Sequence, residues 1–138
     1  MGCSMDIAEA IIQAYWDANP GLAAIVEKCI QDSRAKGWLM GLDGRKIFIR
    51  SPHSSFNALL QSAEAVFMKN AFLMIHDDEL WPMLMTMHDE WLCEMDPRYK
   101  QTYLDRTHSI AFELNERFEM NIPMAFDTAF GENYAACH

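Results

Sequence analysis

Apolar residues recur at helical spacing through the first quarter of the chain. Ile7, Ala10, Ile11, Ala14 and Tyr15 fall three or four apart, which predicts an amphipathic helix. Ser4 stands at its N-cap position and Asp6 complements the positive end of its dipole. Asn19-Pro20-Gly21 breaks the pattern. Pro20 suits the first turn of a second helix carrying Leu22, Ile25, Val26, Cys29 and Ile30, which runs to about Lys36 and stops at Gly37. The period then shortens. Trp38-Leu39-Met40 and Lys46-Ile47-Phe48-Ile49 read as strands, with Leu42-Asp43-Gly44 as the turn of a hairpin between them. Ser51-Pro52 ends the hairpin, and Pro52 or His53 opens a long helix through about Ile75. Its predicted apolar face is Phe56, Leu59, Leu60, Ala63, Val66, Phe67, Phe72 and Leu73. Its other face carries Asn57 and Gln61, four apart and so stacked on one side.

Asp77-Asp78-Glu79 reads as a solvated connector to a second hairpin. Met83–Met87 and Trp91–Met95 are its predicted strands, and His88-Asp89-Glu90 its turn. Strand interiors rarely carry carboxylates, because a buried charge is costly unless paired or bound to metal. A turn projects them from a rigid edge instead. Two readings stand: an ordinary solvated turn, or a metal-bearing Asp89 with an acidic neighbour in Glu90. Leu84, Met85 and Leu92 are the residues expected to pack this hairpin against the long helices. Asp96-Pro97 ends it. A third long helix is predicted from Pro97 to Glu119, with Tyr103, Ile110, Phe112, Leu114 and Phe118 as apolar positions. Ile122–Phe126 follows as a last short strand, and Phe130–His138 as an aromatic-rich tail. Mixed helices and separate hairpins make the expected fold class α+β.

Composition narrows this picture. A chain of 138 residues, 51% of them hydrophobic, is the size of one domain with a substantial core. Its net charge of −9 argues against a free-standing nucleic-acid binder. Yet Arg34, Lys36, Arg45, Lys46 and Arg50 place five of the eleven basic residues in one stretch, which is either a solvated face or a phosphate track. The four cysteines form no closely spaced pair and, with no secretory leader, read as reduced thiols of the cytoplasm. Zinc is not expected, since only Cys137 and His138 are adjacent. The opening Met-Gly-Cys is followed by Asp6 where a myristoylation pattern needs Ser or Thr. No apolar run approaches the ~20 residues of a membrane span, so no membrane partner is expected.

Four stretches in order carry a family resemblance: GLDGRKIFIRSPH at Gly41–His53, FNALLQSA at Phe56–Ala63, MHDEW at Met87–Trp91 and GENYAACH at Gly131–His138. Together they resemble the C-terminal part of the family A DNA polymerases, nearest to the bacteriophage replicative branch. The resemblance covers about residue 37 to the end and implies a partial palm subdomain. Residues 1–36 resemble, with less specific motifs, the helices at the end of the fingers. It implies that Asp89 is one of two aspartates holding the catalytic metal ions, that Glu90 is its acidic neighbour, and that His88 lies near the primer end. It implies that Asn57 and Gln61 touch the primer–template minor groove. Arg45, Lys46 and Arg50 would approach phosphates.

The residue types agree with that chemistry. Nucleotidyl transfer uses two divalent ions, one activating the 3′-hydroxyl and one steadying the leaving pyrophosphate, and hard oxygen ligands suit Mg2+. A side-chain amide can donate to the acceptors that every base pair presents in the minor groove, which suits copying any sequence. The family also needs a second aspartate and a helix that grips the incoming dNTP, and neither has a counterpart here. Asp43 sits in a hairpin turn and Asp127 after the predicted strand. The expected partner is therefore an N-terminal polymerase piece that brings both, with primer–template DNA bound by the assembly. The setting would be the cytoplasm, that of a bacterial host if the chain is phage-encoded. A fragmentary reading frame, an inactive remnant and a non-catalytic palm-like interaction module remain open beside it.

Overall fold

The computed structural model describes residues 4–76 and 80–137; the Asp77-Asp78-Glu79 connector, the Met-Gly-Cys opening and His138 lie outside them. The chain divides into two compact units, Met1–Ser62 and Ala63–His138.

The first unit opens with helix α1, Met5–Ala18, and helix α2, Pro20–Lys36. Ser4 has the extended backbone of an N-cap, though its side chain makes no capping bond. Asn19 ends α1 with its side-chain amide donating to the Tyr15 carbonyl at 2.8 Å. Pro20 starts α2, where its missing N–H costs nothing. Gly37 closes α2 in the left-handed conformation, φ 74°, and its N–H donates to Ser33 O. Strand β1, Trp38–Met40, then pairs antiparallel with β2, Lys46–Phe48, in the register Trp38↔Phe48, Leu39↔Ile47 and Met40↔Lys46. Gly44, φ 80°, supplies the positive φ of the loop between them. Leu39, Cys29 and Ser33 are buried, so the hairpin lays its Leu39 face against α2. A 3-10 turn, Pro52–Ser54, leads into the long helix α3, Ser55–His76, whose first two turns belong to this unit.

The second unit is built on the rest of α3. Strand β3, Met83–Met87, pairs antiparallel with β4, Glu90–Cys93, and after a 3-10 turn at Pro97–Tyr99 comes helix α4, Lys100–Arg117. Asp96 caps that turn, accepting from the Arg98 backbone N–H at 2.9 Å and pairing with its guanidinium at 2.7 Å. The core is Phe67, Met68, Ala71 and Ile75 of α3 against Tyr103, Ile110 and Leu114 of α4, with Trp81 beneath. Arg106 and Arg117 tie the same two helices by donating to the Met74 carbonyl and the Asn70 side chain, at 2.9 and 3.0 Å. This is the α+β composition expected, helices with small antiparallel hairpins.

Two expectations change. Ile122–Phe126 forms no strand: the segment has no ladder partner among the described residues. One side chain takes the place of one. Asn115 donates to the Met124 carbonyl at 2.7 Å and accepts from the Met124 N–H at 2.8 Å, the pair of bonds a neighbouring strand would make. The segment's anchor is Phe126, 6.0 Å from Phe67 and 4.8 Å from Trp91 between ring centroids. The hairpin also packs through different residues. Leu84 is 58% exposed and Met85 is exposed, while Met83, Trp91 and Cys93 contact the core. The cause is an irregularity at Leu84. Met83 pairs with Cys93 but Met85 pairs with Leu92, so one extra residue in β3 sends Met83 and Met85 to opposite faces.

Candidate functional site

The β3–β4 hairpin presents its acidic turn at the tip. Met87 and Glu90 are the last paired residues, so His88 and Asp89 alone form the loop, and both are exposed. His88 has φ 53°, in the left-handed region at the first loop position, where two-residue hairpins ordinarily take Gly or Asn. Glu90, expected in the turn, is instead the first residue of β4 and half-buried. It shares the outward hairpin face with Met85, Met87 and Leu92, and Asp89 projects beyond it.

What fixes this tip is the inward face of β4. Trp91 stacks edge-on against Phe72 of α3 at 5.6 Å and against Phe126 at 4.8 Å. Its indole Nε1–H donates to the Tyr103 hydroxyl of α4 at 2.6 Å, and that hydroxyl donates onward to Cys93 Sγ at 3.8 Å. Burial, helped by the neighbouring Cys93, pushes the Tyr103 hydroxyl well above the ordinary phenol value. Burial likewise raises the Cys93 thiol, against the pull of the Tyr103 bond. Both groups therefore stay neutral at physiological pH, and Tyr103 keeps its donor proton. The two residues flanking Leu92, Trp91 and Cys93, are thus held by one hydroxyl, two and four residues along the strand from Asp89. No periodicity signals this contact in the sequence.

The remaining candidates lie in the first unit. Asn57 and Gln61 are exposed on α3, one turn apart, and neither side chain has a hydrogen-bond partner among the described residues. Arg45 is tied to Asp43 within the β1–β2 loop through both its backbone N–H and its guanidinium. Desolvation pushes the Asp43 carboxyl up, and the Arg45 bonds and charge outweigh it, leaving the carboxyl below its usual value. Lys46 is exposed with its ammonium 4.6 Å above the Trp38 ring centroid. Arg50 is exposed, with no ion pair among the described residues. The three acidic-turn residues and the five polar and basic residues therefore belong to different units.

Among the described residues no group of three His, Cys, Asp or Glu side chains could by itself hold a metal ion. Asp89 fits one part of a Mg2+ shell, a hard and exposed oxygen ligand, since that ion binds through one or two carboxylates with water and phosphate completing its octahedron. No described helix is long and apolar enough to cross a membrane.

The second unit thus packs two helices behind a hairpin with an acidic tip. The chain is similar to known proteins. The chain is 30% identical to a DNA-directed DNA polymerase of Escherichia phage Phieco32 across its whole length, matching 24% of that protein. It is 24% identical over 92% of its length to the thermostable DNA polymerase I of Thermus thermophilus, matching 17% of that one. Its fold superposes with TM-score 0.80 on the POL domain of Pol1 from M. smegmatis, solved in complex with DNA primer-template and dNTP, over 97% of this chain and 26% of that one at 18% identity. No family model matches. The chain is related to the family A DNA polymerases and corresponds to a palm-like portion of them. It spans about a quarter of the length of the phage relative, or less of the bacterial one.

Proposed function

We propose that this chain is the C-terminal palm portion of a family A DNA polymerase and supplies one carboxylate of its metal site. In this reading residues 1–36 are the end of the fingers and residues 37–138 the palm. The observation that carries it is the unfinished β3–β4 hairpin. Among the described residues it has two strands only, its outward face carries Met85, Met87 and Leu92 beside Glu90, with Leu84 58% exposed nearby, and Asp89 stands at its tip. A palm-like module with a purely adhesive or vestigial role has no need of a braced acidic tip. An N-terminal polymerase portion that adds strands to this hairpin would cover the apolar surface and set its own aspartate beside Asp89. Burial of that surface at roughly 25 cal/mol per Å2 supplies the driving force for assembly.

In the assembled site Asp89 would be a Mg2+ ligand. A Mg2+ ion held there would supply charge stabilisation for the 3′-hydroxyl and the phosphate under attack. The chain's own part is positional. Tyr103, Trp91 and Phe72 hold β4, and β4 holds the turn. His88 would lie toward the primer end and Glu90 beside the ligand. Asn57 and Gln61 would donate to the minor groove of primer–template DNA, and Arg45, Lys46 and Arg50 would approach its phosphates. The dNTP would be bound by the N-terminal portion.

The test is Mg2+-dependent nucleotide incorporation on a primed template. This chain alone should incorporate nothing. Mixed with the N-terminal portion of its polymerase it should extend the primer, and Asp89→Asn should lower the rate by about 10²–10³, the loss typical of one electrostatic group in a transition state. Glu90→Gln should cost less. A fully active Asp89→Asn assembly would overturn the reading.

A further inference from the structure

The outer face of the first hairpin has no role in the metal site, and its composition is unusual for an exposed surface. The register Trp38↔Phe48 and Met40↔Lys46 puts these four side chains on one face, opposite the buried Leu39. Phe48 is 78% exposed, the most solvent-facing aromatic ring among the described residues, and Met40 beside it is exposed too. Lys46 lies diagonally across from Trp38 with its ammonium over that ring at 4.6 Å, and Lys36 approaches the same ring at 5.9 Å. A cation parked on an aromatic face stays free to meet an anion, because the ring neutralises none of its charge. Lys36 is shared with Asp32 at 3.0 Å, whereas Lys46 and Arg50 have no carboxylate partner among the described residues.

Charge makes the first unit a different surface from the chain as a whole. Through residue 62 there are six Lys or Arg and six Asp or Glu, so this unit is neutral; the remaining five basic and fourteen acidic residues give the second unit the entire −9. The hairpin therefore carries its basic residues in a neutral setting. An exposed phenyl ring with a cation two residues to either side, Lys46 and Arg50, neither with a carboxylate partner among the described residues, matches one ligand chemistry above others, a flexible polyanion with free π-faces. We infer that the outer face of the β1–β2 hairpin binds single-stranded DNA, with a base stacked on Phe48 and the adjoining phosphates held by Lys46 and Arg50. Stacking is sequence-tolerant because every base offers a π-face, and a duplex has its base faces already covered. The choice of DNA rests on the polymerase reading; the stacking platform rests on the geometry of this unit.

The test uses the full chain and a short fluorescently labelled oligothymidylate, read by anisotropy at low salt. The single strand should bind, and a blunt duplex of equal length should bind more weakly. Phe48→Leu keeps the apolar bulk and removes the π-face, and should weaken single-strand binding about fivefold or more. Phe48→Tyr should restore it. Lys46→Gln should lower the slope of log affinity against log salt by about 0.7, the value for one phosphate contact on a single strand. Phe48→Leu binding as tightly as wild type, or a duplex preferred over the single strand, would overturn the inference. The polymerase reading is judged separately by incorporation. Intact oligonucleotide binding with an inactive assembly sinks that reading alone, and an active assembly with no effect at Phe48 sinks this one alone.

Discussion

His88 and Glu119 are the non-glycine residues with positive φ among those described, 53° and 50°. An L-residue pays roughly 1–2 kcal/mol for that conformation. Glu119 sits where α4 ends in a double closure: the Met120 N–H donates to Asn115 O and the Glu119 N–H to Glu116 O, a Schellman pattern that ordinarily takes Gly. Glu119→Gly should therefore stabilise the chain by up to about 1 kcal/mol in urea unfolding, after the greater freedom of Gly in the unfolded state is subtracted. His88→Gly should stabilise by a similar amount for the same reason. The two should part company in the reconstituted incorporation assay. Glu119→Gly leaves the rate as it was, and His88→Gly lowers it, because the imidazole and the set of the turn both belong to the proposed primer end. Equal rates for both would mean that the strain at His88 serves the turn alone.

The elements divide into those whose ends are written in short-range signals and those decided by a distant contact. Pro20, Gly37 and Asp43-Gly44 mark their boundaries chemically, and α2 and the β1–β2 hairpin begin and end within a residue or two of where those signals place them, whereas α3 and α4 start two to three residues late, after 3-10 turns at Pro52–Ser54 and Pro97–Tyr99. The irregularity at Leu84 carries no Gly or Pro, so the parity of β3 is invisible until Cys93 and Leu92 are paired with it. Ile122–Phe126 has the composition of a strand, but strand formation needs a neighbour, and only the Asn115 side chain is offered. Asn115→Ala should cost about 1–3 kcal/mol in unfolding, from the loss of both bonds to Met124. Tyr103→Phe should cost a similar ~1–3 kcal/mol, because the half-buried Trp91 N–H loses its acceptor. It should also loosen the Asp89 turn, so the Mg2+ concentration for half-maximal incorporation should rise, whereas Asn115→Ala should leave that concentration alone.

At the scale of the whole chain, apolar surface is left open in both units. Ile7, Ile11 and Tyr15 of α1 are exposed although their spacing predicts a buried stripe, Ile12 is exposed beside them, and Leu84, Met85 and Met87 are exposed in the second unit. Periodicity shows that a face wants burial without showing what buries it. The acidic turn was legible because His88-Asp89-Glu90 is a polar interruption between apolar strands and matches a family pattern. The Trp38–Phe48 face was not, because aromatic alternation in a hairpin reads equally as core. The isolated chain should bind a hydrophobic dye, and the N-terminal polymerase portion should displace it. The charge division has a consequence of its own. Fourteen acidic side chains against five basic ones strain the second unit by mutual repulsion, and raising ionic strength from 0.01 to 0.1 M shortens the reach of that repulsion from about 30 to about 10 Å. Added sodium chloride should therefore raise the melting temperature while it loosens the hold on an oligonucleotide: one solute acting with opposite signs on the two halves of a single chain.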